Sequence, residues 1–165
     1  MDNLVQLYTT FSGRISRKTF WIGVVGIVIA SIVLNIILGI VGLGFGAGPT
    51  SAAWGSLIVF AILAVPALAI SIKRRHDRNG SGNDVIVYYA LTLISLLVQA
   101  LGFGYTTTDV GGVAMPVPTM TLTIFLSVLG IFALYLLVVL GFLRGTAGPN
   151  QYGADPVGGA TVAAE

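Results

Sequence analysis

Four stretches of this chain, each at least 19 residues long, contain no Asp, Glu, Lys, Arg or His: Phe20 to Phe45, Trp54 to Ile72, Val85 to Phe103 and Met120 to Leu143. A membrane-spanning helix needs about 20 mostly apolar residues. Backbone in hydrocarbon must satisfy its own hydrogen bonds, which selects helices for such runs. They are too long and too uniformly apolar for helices buried in a soluble domain. Composition points the same way. Only 8% of the residues are charged, against about 25% in a soluble domain. That is too little charge to solvate a globule of 165 residues, which disfavours a soluble enzyme or a nucleic-acid module. The absence of cysteine excludes disulfides, thiolate metal sites and a cysteine nucleophile.

The joints between the runs carry turn and cap chemistry. Gly48-Pro49-Thr50-Ser51 is a turn that offers hydroxyl caps to the second helix. In Ser81-Gly82-Asn83-Asp84, either of the last two residues can accept from the first turn of the third helix. Pro116 and Pro118 stop any earlier helix, and Thr119 caps the fourth. Gly145, after Arg144, reads as a C-terminal stop.

The basic residues orient the spans. Arg14, Arg17 and Lys18 precede the first. Lys73, Arg74, Arg75 and Arg78 separate the second from the third, and Arg144 follows the fourth. All 8 Lys and Arg therefore fall on one side of an alternating four-span chain, and the positive-inside rule makes that side cytoplasmic. Three or five spans would divide them between both sides. The first span is too long for a signal-peptide core. Before it, Leu4, Leu7, Tyr8, Phe11 and Ile15 recur at helical spacing, broken at Ser12-Gly13; this predicts a short interfacial helix. On a helix, Arg14, Arg17 and Lys18 would share one side. The expected fold is an all-α four-transmembrane-helix bundle with cytoplasmic N- and C-termini. Residues 1–156 form one domain and 157–165 a disordered tail.

Within the spans, Asn35, Ser95 and Gln99 are the polar groups of interest. Small and polar residues at helical spacing let helices pack closely and hydrogen-bond. The same faces could line a conduit, the basis of an alternative reading as a channel, small transporter or accessory subunit. No ionisable residue is present for a proton relay. Pro66 is expected to kink the second span.

The cytoplasmic side holds the densest chemistry, in Lys73-Arg74-Arg75-His76-Asp77-Arg78-Asn79-Gly80-Ser81-Gly82. Consecutive cations beside a membrane attract anionic lipid. His76 and Asp77 invite a general-base reading, a membrane enzyme acting on a lipid or phosphorylated substrate. Catalysis would also need a nucleophile and an oxyanion site, and a metal would need more ligands than one histidine and scattered aspartates. No catalytic residue, metal or cofactor is assigned. The pattern reads instead as an ordered polar turn with Asp77 paired to a neighbouring arginine. Nucleic-acid binding is excluded as a reading, because the basic patch is short and lacks interleaved aromatics. After Arg144, Asn150, Gln151, Tyr152 and Asp155 stand among Gly and Pro. They predict a non-helical loop folded back on the basic face, with Asp155 paired to Arg74, Arg75 or Arg14.

Three segments, Phe11–Trp21, Lys73–Gly82 and Gly145–Pro156, together resemble a family of small bacterial inner-membrane proteins, domain of unknown function 805. The resemblance covers about residues 8–156. It implies a multi-pass protein of the bacterial cytoplasmic membrane and no activity. The functional expectation is a non-enzymatic protein whose cytoplasmic face binds anionic lipid or a partner protein, with homo-oligomerisation open. The residues of that face are Arg14, Arg17, Lys18, Lys73, Arg74, Arg75, His76, Asp77, Arg78, Asn150, Tyr152 and Asp155.

Overall fold

The computed structural model describes residues 4–44 and 48–158. Phe45, the expected end of the first span, and residues 159–165, most of the expected disordered tail, lie outside the described residues. The elements in order are α1 (Leu4–Thr9), α2 (Arg17–Ile40), α3 (Pro49–Asp77), α4 (Asn83–Ala100), β1 (Tyr105–Val110), β2 (Val113–Pro118) and α5 (Met120–Leu137). A π-helical turn, Val138–Phe142, continues α5. Four helices are long and apolar enough to cross a membrane: α2, α3, α4 and α5 with its π turn. Ile22, Val25, Ile29, Ile32, Ile36 and Ile40 are all exposed along α2. A water-soluble monomer does not leave so long an apolar face open; hydrocarbon is its natural solvent.

Local chemistry sets the helix ends. α2, α3 and α4 stop with the same pair of reverse hydrogen bonds. Leu43 N–H donates to Leu38 O and Gly42 N–H to Gly39 O; Gly80 to Arg75 and Asn79 to His76; Phe103 to Val98 and Gly102 to Gln99. The pivot residues Gly42, Asn79 and Gly102 have φ of 78°, 58° and 81°, the left-handed turn of a Schellman motif. This is why α2 stops at Ile40, short of the expected Phe45, and α4 at Ala100, short of Phe103. At the other ends, Thr119 Oγ1 accepts from Leu122 N–H and Asp84 Oδ1 from Val85 N–H, as the sequence predicts. Thr50 and Ser51 are not the cap of α3. They lie inside it, because Pro49 with its fixed φ takes the first helical position. Pro66 sits within an uninterrupted α3.

The expectation of an entirely helical chain omits a hairpin. β1 and β2 pair antiparallel from Tyr105↔Pro118 to Val110↔Val113. Gly111 and Gly112, with φ of 65° and 84°, supply the two-residue turn whose twist suits a hairpin. Tyr105 and three consecutive threonines supply β-favouring side chains.

The chain divides into two compact units, each containing part of every long helix. One comprises Met1–Val28, Ala64–Val87 and Tyr135–Glu165; the other comprises Ile29–Leu63 and Tyr88–Leu134. All 8 Lys and Arg belong to the first. Its core includes Leu7, Ile15, Phe20, Ile70, Val85 and Leu140.

Candidate functional site

The site begins with a shift of frame. Lys73 to Asp77 do not form a loop; they are the last turn of α3. On a helix, positions 70, 73, 74 and 77 share one stripe. Ile70 is 1% exposed, and Lys73, Arg74 and Asp77 continue that stripe inward at 4%, 0% and 3%. Buried charges require partners and hydrogen bonds. Each of these has them.

Asp77 is shared by two guanidinium groups. Arg14 donates through Nε and Nη2 to Asp77 Oδ1 at 3.2 and 3.0 Å, and Arg74 Nη1 donates to Asp77 Oδ2. Arg14 lies in the non-helical stretch between α1 and α2, so it does not share a helical side with Arg17 and Lys18 as their spacing suggested. Its remaining donors reach the C-terminal segment: Nη1 to Gly148 O at 2.7 Å and Nη2 to Thr146 O at 2.7 Å. Thr146 answers with its N–H and hydroxyl on Asp77 O, at 2.8 and 2.9 Å. Asn150 Nδ2 donates to His76 O at 2.9 Å.

The other cations close the end of α5. The π turn and the residue after it present a run of carbonyls at the negative end of a helix dipole. Arg78 takes Val139 O at 3.3 Å, Arg74 Nε takes Leu140 O at 2.8 Å, and Arg17 takes Phe142 O at 3.3 Å. Arg74 Nη2 takes Leu143 O, and the Trp21 indole N–H takes Gly141 O at 3.1 Å. Lys73 does the same for α1, with Nζ donating to Gln6 O and Leu7 O at 2.8 and 2.7 Å. Arg75 forms a bidentate pair with Asp84, through Nε to Oδ1 and Nη2 to Oδ2, both at 3.0 Å. Among the described residues, no buried side-chain nitrogen or oxygen is left without a partner.

Two sequence expectations change here. Asp155 does not form the arginine pair predicted for it. Its carboxylate accepts from the N–H groups of Gly148 and Val157, both at 2.9 Å, and these together with the weaker pull of Arg14 hold its pKa below the ordinary carboxylate value. Short-range backbone donors reach it first. His76 and Asp77, adjacent in sequence, are not a functional pair. His76 Nδ1–H donates to Gly13 O at 3.1 Å, and its ring stacks on Tyr152 with centroids 3.9 Å apart. Both Asp77 oxygens face arginine. The expected pairing of Asp77 with a neighbouring arginine is found in Arg74; its second partner, Arg14, comes from 63 positions away. Among the described residues, no three His, Asp or Glu side chains gather as a metal site would require.

The intramembrane polar residues satisfy themselves locally. Asn35 Nδ2 donates to Ser31 O, one turn back, at 2.9 Å. Gln99 Nε2 donates to Ser95 Oγ at 3.0 Å, and its carbonyl accepts from Tyr105 O–H at 2.9 Å. A hollow of about 480 Å³ includes Asn35 in its lining, and another of about 350 Å³ includes Ser95. Their lining residues do not overlap, so the structure joins Ser95 to Gln99 and leaves Asn35 apart.

Three cations are exposed: Arg17, Lys18 and Arg144. None has a carboxylate partner among the described residues. The signal for this division was present in the sequence as helical phase. Continuing the buried stripe of α3 through position 77 separates Lys73, Arg74 and Asp77 from the rest.

The three segments that meet here, around Arg14, around Asp77 and around Asn150, all fall within residues 8–154. That range matches the model of a family described as protein of unknown function (DUF805). No curated protein and no solved structure matches the chain.

Proposed function

We propose that this chain, which belongs to the DUF805 family, is a non-enzymatic protein of the bacterial cytoplasmic membrane that binds anionic lipid through a cation-rich cytoplasmic face. The observation that carries this reading is the division of labour among the basic residues. Arg14, Arg74 and Arg75 are ion-paired, whereas Arg17, Lys18 and Arg144 are exposed and form no ion pair among the described residues. The first group builds the face and the second is available to a ligand. The location of every Lys and Arg in one unit supports the cytoplasmic assignment of both termini.

The conduction reading finds less support. The amide groups that would line a path hydrogen-bond within their own helix or, through Gln99, to the hairpin residue Tyr105. A catalytic reading of His76 loses its natural partner, since Asp77 is committed to arginine.

The test is lipid preference in nanodiscs of mixed anionic and zwitterionic phospholipid. Arg17→Gln, Lys18→Gln and Arg144→Gln combined should weaken anionic-lipid enrichment by about two orders of magnitude, since each juxtamembrane cation contributes ~1 kcal/mol. Enrichment unchanged by the triple substitution refutes the reading. Sidedness follows from single cysteines placed at Ser81 and Thr108 of this cysteine-free chain. Ser81 should react only from the cytoplasm and Thr108 only from the other side.

A further inference from the structure

The three exposed cations are not equivalent. Arg17 and Lys18 form one wall of an open cleft of about 660 Å³, with Trp21, Gly141 and Pro156 among its other lining residues and no carboxylate. Arg144 lines an adjoining cleft of about 280 Å³, which Arg17 and Arg74 also line and where Asp77 and Asp155 share the lining. An anion entering the second meets three cations offset by two carboxylates; in the first it meets two cations and no carboxylate.

The surface at the first cleft also changes character along α2. Arg17 is steadied by Phe142 O, which leaves further guanidinium N–H groups to donate. Lys18 makes no hydrogen bond or ion pair among the described residues. Next comes Trp21, whose indole is fixed on Gly141 O and whose ring meets Phe142 edge-on at 5.8 Å. Outside the lining, Ile22, the next residue of α2, is 56% exposed, and Phe142, against Trp21, is 61% exposed. Cation, aromatic and aliphatic surfaces therefore follow in the order that a phospholipid presents phosphate, glycerol and acyl chain, and the aromatic pair matches the interfacial level that tryptophan prefers.

Resting on the lipid-binding reading above, we propose that this cleft is a discrete site for one anionic phospholipid. Its phosphodiester lies against Arg17 and Lys18, and its glycerol and first methylenes lie along Trp21 and Phe142. A freely soluble phosphate would use the cations but leave the aromatic wall unused. A diffuse lipid annulus would use all three exposed cations alike.

Native mass spectrometry of the full chain, released from nanodiscs containing phosphatidylglycerol and phosphatidylethanolamine, separates these outcomes. The wild type should retain one phosphatidylglycerol. Lys18→Gln, which removes no hydrogen bond or ion pair among the described residues, should lower that occupancy about fivefold. Arg144→Gln, outside this cleft, should lower it clearly less than Lys18→Gln does, and millimolar glycerol phosphate should not displace the lipid. Equal losses in Lys18→Gln and Arg144→Gln would overturn the discrete site while leaving the lipid-binding face standing. Absence of any anionic preference in the wild type would overturn both. Displacement by glycerol phosphate would reassign the cleft to a soluble phosphate.

Discussion

The imidazole of His76 lies flat on the ring of Tyr152, with centroids 3.9 Å apart and planes within 4° of parallel. This contact fastens the C-terminal segment to the last turn of α3, beside the Asn150 bond to His76 O. Aromatic pairs of this kind contribute about 0.5–1.5 kcal/mol beyond area burial. Tyr152→Ala should therefore release residues 145–157 to limited proteolysis several-fold faster while the helices stay protected. Tyr152→Phe, which keeps the ring, should behave as wild type. Equal protection of Tyr152→Ala would show that the stack does not hold the segment.

Asp77 neutralises two buried arginines, and its loss should be severe. Removing one member of a buried pair costs about 3–5 kcal/mol, because the charge left behind stays desolvated. Asp77→Asn should lower the thermal midpoint in detergent by many degrees. Asp84→Asn breaks a pair whose side chains are both 19% exposed. Because that pair is partly open to solvent, the substitution should cost less than Asp77→Asn. Comparable midpoints for the two variants would refute the central role assigned to Asp77.

Gly145 packs against the Asp77 carboxylate, and a Cβ there would overlap it. Gly145→Ala should displace the C-terminal segment and destabilise the protein nearly as much as Asp77→Asn. Gly130, in α5, has nothing within 4 Å of where its Cβ would lie. Gly130→Ala should be neutral or stabilising by up to ~1 kcal/mol from helix propensity. Thermal unfolding of the two variants side by side is the check.

Acid should loosen the same segment through Asp155. Its folded pKa lies below the ordinary value because Val157 and Gly148 donate to the charged carboxylate. A depressed carboxylate stabilises the fold above its ordinary pKa, and the contribution disappears as pH falls through the depressed value. Protection of residues 145–157 should be constant near neutrality and decline under strong acid. Asp155→Asn should remove this part of the decline. A wild-type acid profile in Asp155→Asn would assign the effect to another group.

How much of this was legible in the sequence depends on the range of the interaction. The four spans follow from apolar runs alone, because hydrocarbon leaves the backbone no other choice. Their ends were read three to five residues late at Phe45 and Phe103, since apolar character persists past Gly42 and Gly102 while helical geometry does not. The hairpin was hidden by its prolines, Pro116 and Pro118, which read as breakers but are tolerated on an edge strand. At the site, a C-terminal loop folded back on the basic face was anticipated from its polar residues, whereas the pairing of Arg14 with Asp77 was not. Which cations face inward was not, because a run of charge reads as solvated until helical phase is imposed on it. The partner of Asp155 was missed for a different reason: backbone N–H groups two and seven residues away reach its carboxylate ahead of distant arginines.

Arg14 contacts Asp77 across 63 positions and Gly148 across 134. Closing so long an interval delays assembly, because the entropy of the intervening chain is lost before the contacts form. During synthesis, Arg14 and Arg74 leave the ribosome long before the carbonyls of residues 140–148 exist to receive them. On the cytoplasmic orientation proposed above, the nascent chain would carry these cations without their carbonyl partners, available to hold the early helices. It withdraws several of them from solvent only as the last segment arrives. On that orientation the same residues would serve first as a topological signal and later as a latch, in an order imposed by the direction of translation.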